Sequence, residues 1–81
     1  MPATFTQEEQ DKLDAWVSAI RTLARQHRVA HREEVSLAIK FVRRTLVTES
    51  ISSMVSKSAA YAKSAGIPEE ELLAIRTLIF S

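Results

Sequence analysis

The chain has no cysteine, one glycine and two prolines among its 81 residues. Without cysteine there is no disulfide and no thiolate metal site. With one glycine there is no glycine-rich loop to cradle a phosphate. Aromatic residues make up only 6% of the chain, and the strict apolar–polar alternation of half-buried strands is absent, as are the two-residue pairs that turn a hairpin. No run approaches the roughly 18 consecutive apolar residues of a membrane-spanning helix. The opening Met-Pro-Ala-Thr-Phe-Thr has no basic stretch leading into an apolar one, as a secretory leader would, so a cytoplasmic location is expected. There is no internal repeat.

What is present has helical spacing. Thr6 and Glu9 fit a capping box, in which each side chain satisfies a backbone N–H left free at a helix start. Leu13, Trp16, Val17, Ile20, Leu23 and Ala24 then fall on one stripe about 120° wide, the pattern of a helix packing a single face. A break is inferred at residues 28–30; with neither glycine nor proline there, one long bent helix is the other option. A second helix is predicted over about 31–48. Its apolar residues Val35, Leu37, Ala38, Ile39, Phe41, Val42 and Leu46 cover roughly 200° of the circumference, more than one buried face needs. The helix is therefore either central to a bundle or carries both a core face and a partner face. The hydroxyl-rich, β-branched run from Thr45 to Ile51 forms helices poorly and predicts an interruption.

Ser50 is a candidate cap for a third helix reaching about Ala65. Ile51, Met54, Val55, Ser58, Tyr61, Ala62 and Ala65 share its expected inner face. Ser52, Ser53, Ser56, Ala60 and Ser64 form a face of small residues opposite. Gly66 suits a left-handed residue just past a helix end, with Ile67 as the accompanying apolar contact. Pro68 suits the first position of a fourth helix, and Glu69, Glu70 and Glu71 complement the positive end of its dipole. The fold expected is all-α, a single domain over 1–81 built as a three- to four-helix bundle, either monomeric or homodimeric.

Charge is unevenly placed although the net charge is only +1. Both ends are acidic, while the segment 21–44 carries Arg21, Arg25, Arg28, Arg32, Lys40, Arg43 and Arg44 against Glu33 and Glu34. That arrangement suits internal complementarity, a solvated basic face or an anionic partner. Histidines 27 and 31 lie four apart, with Glu34 as a third ligand by spacing. Two imidazoles are too few for a tight metal site, and the break at 28–30 separates them, so no metal is expected. No serine sits in a local context that marks it as a nucleophile. The glutamates read as first-turn helix residues rather than a catalytic pair. No enzyme, cofactor or small-molecule substrate is expected.

Residues 58–77 resemble the helix-turn-helix fingerprint of bacterial and phage repressors. Ala62 and Gly66 match its small residue and its turn glycine. Tyr61, Ala65, Ile67, Leu72 and Ile75 match its apolar positions. The resemblance implies a helical corner whose second helix reads DNA. The residues at the start of that helix, Pro68 and Glu69 to Glu71, oppose this use, because three carboxylates facing a polyanion repel it.

Two functions are expected from these features. The leading one is a non-enzymatic protein-interaction module, acting as a small regulator, inhibitor or adaptor on a protein partner or on a second copy. Leu37, Phe41, Leu73 and Phe80 are its candidate anchor cluster, since they project off the main stripes. Completing the monomer's own core is the competing account of all four. The alternative is a small nucleic-acid-binding transcriptional regulator using the basic segment 21–44 and the corner at 58–77. In it the seven basic residues contact phosphate, with Lys40, Arg43 and Arg44 forming a ridge on the second helix.

Overall fold

Thr6 opens the first helix as the capping box requires. In the computed structural model, which describes residues 5–43 and 50–80, the Thr6 hydroxyl accepts from the Glu9 N–H at 3.2 Å. The Glu9 carboxylate accepts from the Thr6 N–H at 2.9 Å. Helix α1 then runs Gln7–Gln26. It ends without a glycine: Arg28 takes the left-handed position with φ 58°. The Arg28 N–H bonds to the Arg25 carbonyl and the Val29 N–H to the Ala24 carbonyl. This is the two-bond Schellman closure that satisfies the last free carbonyls of a helix. The chain therefore turns a corner here, and the single bent rod does not form.

Helix α2 covers Glu33–Val42, shorter than the predicted 31–48. His31 and Arg32 belong to the corner, and Arg32 occupies the N-cap with no side-chain capping bond. Arg43 closes the other end, its N–H donating to the Ile39 carbonyl. Arg44, Thr45, Leu46, Val47 and Thr48 lie outside the described residues, and with them the predicted interruption.

Ser50 caps helix α3, Ile51–Ala65, by accepting from the Ser53 N–H at 3.2 Å. Gly66 ends α3 with φ 118°, the Gly66 N–H bonding to Lys63 and the Ile67 N–H to Ala62. The two corners abut, since a Cβ built on Gly66 would stand 3.4 Å from a methyl of Val29. Helix α4, Glu69–Phe80, follows. The Pro68 carbonyl accepts from the Leu72 N–H, which makes Pro68 the cap rather than the first helical residue, a shift of one position.

The core is drawn from all four helices. Helix α1 gives the predicted stripe of Leu13, Trp16, Val17, Ile20, Leu23 and Ala24, all buried. Val35, Ala38 and Val42 of α2 face it, with Val55, Ala62 and Ala65 of α3 and Ile67 of the corner. Fully buried alanines on α2 and α3, Ala38 and Ala62, let those two backbones approach closely, and this is the most extensive helix–helix contact in the molecule. Among the described residues one polar side chain is buried with them: Ser58 accepts from the Trp16 indole N–H at 2.8 Å and donates to the Val55 carbonyl at 3.0 Å. Helix α4 rests chiefly on α1 and meets α3 only lightly. Leu72 is its one fully buried residue, while Ile75, Ile79 and Phe80 pack part-buried against the core. The radius of gyration is 12.1 Å, against about 12 Å for a compact chain of this length.

Candidate functional site

The light contact between α3 and α4 leaves a groove along their seam. One section of about 490 Å³ is lined by Ile51, Ser52 and Val55 of α3 and by Leu73, Arg76, Thr77 and Phe80 of α4. The next, of about 260 Å³, is lined by Ser56, Ala59, Ala60 and Lys63 of α3 with Glu69, Leu72, Leu73 and Arg76. Leu73 and Arg76 belong to both sections, so the two are continuous along the length of α4. The α3 wall takes Ser52, Ser56 and Ala60 from the small-residue face seen in the sequence, though not Ser53 or Ser64, and these with Ala59 keep the trough open. Leu73 stands at its middle, 53% exposed. Lys63 and Glu69 pair across its corner end at 3.1 Å. Among the described residues the Arg76 guanidinium makes only a long contact, 3.5 Å to the Ser52 hydroxyl.

The four residues expected as one anchor cluster do not form one. Leu73 and Phe80 line this groove, and Phe80 also sets its ring edge against Trp16 with centroids 6.2 Å apart. Leu37 and Phe41 belong to a different flank of α3. Phe41 packs on Tyr61, centroids 6.2 Å apart, with the Lys57 ammonium 5.7 Å above its ring. Leu37, one turn earlier on α2, is 40% exposed. Tyr61 was expected on the inner face of α3, and it instead lies outward as Phe41's neighbour.

A second groove, of about 400 Å³, separates α1 from α2. Arg21 lines it from one side and Ser36, Ile39, Lys40 and Arg43 from the other. Of the seven basic residues of segment 21–44, three thus meet around one opening. Arg25 is exposed one turn along α1, and Arg28 and Arg32 are exposed at the corner. Arg44 lies outside the described residues. Among the described residues, Arg21, Lys40 and Arg43 make no ion pair, whereas Lys12 pairs with Glu8, His27 with Glu71 and Lys63 with Glu69.

The corner at Gly66 has the left-handed glycine and buried Ala62 that the helix-turn-helix resemblance requires. Two of the three carboxylates at the start of α4 are held by Lys63 and His27; Glu70 is exposed. The histidine pair is divided as expected, His27 facing Glu71 and His31 lying in the corner. No group of three or more potential metal ligands gathers among the described residues. No helix among them is long and apolar enough to cross a membrane. Neither groove was legible in the sequence as a groove, although the small-residue face and the basic segment were each visible as half of one. No protein-family model, curated protein or solved structure matches the chain.

Proposed function

We propose that this chain is a non-enzymatic protein-interaction module that works as a homodimer, with α4 of a second copy seated in the α3–α4 groove. The observation that carries this reading is the continuous trough with Leu73 exposed at its centre. An apolar trough walled by small residues on one side receives a helix. The occupant is argued from charge. In a two-fold pair the same patch serves both subunits. If two α4 helices cross antiparallel at Leu73, residues equally spaced about it face one another. Arg76 then meets Glu70 of the second copy, and Glu70 meets its Arg76. Among the described residues Arg76 has only a long hydroxyl contact and Glu70 no ion pair, and this pairing gives each a partner. Regulation or adaptor activity would then be exercised by a paired unit rather than by a single bundle.

Sedimentation velocity over a concentration series tests this. The parent chain is expected to sediment as a dimer, and Leu73→Asp, a change at an exposed position, as a folded monomer. Arg76→Glu and Glu70→Arg are each expected to raise the dissociation constant about fivefold to thirtyfold, from roughly 1–2 kcal/mol for the two symmetric pairs. The double variant restores much of the loss. A parent chain that stays monomeric at the highest soluble concentration retires the proposal. So does a Leu73→Asp chain that still dimerises.

A further inference from the structure

The basic groove between α1 and α2 gathers three cations around one opening. Its cations come from Arg21 of α1, Lys40 of α2 and Arg43 at the C-cap of α2. Among the described residues no carboxylate lines it and none of the three makes an ion pair, although Lys12 and Lys63 do. Gathering like charges around one opening costs energy through their mutual repulsion, and a bound anion relieves it. We propose that this groove binds the phosphodiester backbone of a nucleic acid.

The chemistry of the lining selects that ligand class over other anions. Guanidinium groups meet phosphate oxygens with two parallel N–H donors, and a lysine adds a mobile point charge. Arg21 and Arg43 supply the first, Lys40 the second, and Ser36 a hydroxyl donor beside them. Arg25, exposed one turn from Arg21, prolongs the row along α1. Glu33, exposed one turn before Ser36 on α2, lies toward the same corner end as Arg25. A protein partner is usually held by a buried aromatic anchor, and a membrane surface by a broad face of aromatic and aliphatic side chains. Among the described residues the groove shows neither, with Ile39 its one apolar side chain. Backbone phosphate contacts need no such anchor, because they position the ligand without reading its bases. The site is distinct from the Gly66 corner, where a helix-turn-helix reading would place the contact and where the chain is acidic. It is also independent of the homodimer proposal, since no residue is common to the two grooves.

The test is fluorescence anisotropy with labelled duplex DNA and labelled single-stranded RNA as separate probes, at about 50 and 200 mM salt. Three phosphate contacts give a salt slope of about −2.7 on duplex DNA, so affinity is expected to fall about 40-fold between the two conditions. Arg21→Ala, Lys40→Ala and Arg43→Ala are each expected to reduce the slope by about 1. A control variant with Lys12 and Lys57 changed to Ala, both outside the two grooves, loses charge elsewhere and is expected to keep the slope. Circular dichroism checks that each variant folds. The same titration on Leu73→Asp separates this proposal from the previous one: the monomer is expected to retain the slope of a single groove. No binding of either nucleic acid at low salt overturns the proposal, as does equal loss in the control variant. Tighter binding to poly-glutamate or to anionic vesicles than to both nucleic acids overturns it in favour of those ligands.

Discussion

An indole carries an N–H that must find an acceptor once the ring leaves water. Trp16 is fully buried, and Ser58 on α3 meets it. The hydroxyl works in both senses, accepting from the indole and donating to the Val55 carbonyl. No buried side-chain polar atom among the described residues lacks a partner. Ser58→Ala removes a small group and leaves the indole N–H orphaned. It is expected to destabilise the fold by about 1–3 kcal/mol, the cost of an unsatisfied buried donor, read as a lower denaturation midpoint at unchanged m-value. Trp16→Phe in the Ser58→Ala background should cost less than the sum of the two single changes, because the second change removes the donor that the first one stranded. From sequence, Ser58 was placed on the inner face by spacing, but its bond to a residue 42 positions away carries no local signal.

Among the helices, the ends written in residue types that favour one cap were legible, and the others were not. The Thr6–Glu9 box, the Ser50 cap and the Gly66 corner all stand where the sequence put them. The α1–α2 corner was inferred only as a break, because the residue in its left-handed position is an arginine. The Arg32 side chain at the next N-cap makes no capping bond, so α2 begins without the usual signature. The two Schellman corners invite a paired comparison. A side chain in the left-handed region costs about 1–2 kcal/mol, part of which glycine loses again through its freer unfolded state. Arg28→Gly is therefore expected to stabilise the fold by about 0.5–1 kcal/mol, and Gly66→Ala to destabilise it by about 1–2 kcal/mol, both measured by thermal or urea unfolding. Equal, near-zero effects at the two positions would show that the left-handed geometry is not what sets these corners. The grooves lie beyond any such reading: periodicity gives the face of each helix but not the splay between helices. Leu73 and Phe80 therefore came to share a groove while Leu37 and Phe41 went to another flank.

For the molecule as a whole, stability is distributed unevenly. Helices α1, α2 and α3 interlock through buried side chains on each, whereas α4 buries one residue fully and leans on α1 with the rest. Segments with few buried apolar contacts open first and most often. Native-state hydrogen exchange is expected to show α4 amides exchanging at least tenfold faster than the slowest amides of α1 and α3. Adding chain concentration should slow α4 selectively, because a second copy in the groove covers the loosest helix. Uniform protection across all four helices would contradict the uneven packing. The same arrangement sets the basic groove on the firm part of the molecule and the helix-receiving groove on the yielding part.

The buried contact of Trp16 gives the protein an optical gauge. It is the single tryptophan in the chain. Its indole nitrogen touches α3 through Ser58, and its ring meets Phe80 of α4 edge-on, with the planes 71° apart. One chromophore thus samples three helices at once. Its emission should be blue-shifted in the native state, shift to the red as α4 lifts away, and shift further when α3 separates. Lifetime or quenching measurements on the unlabelled chain would then follow the docking of α4 in real time, with no reporter added.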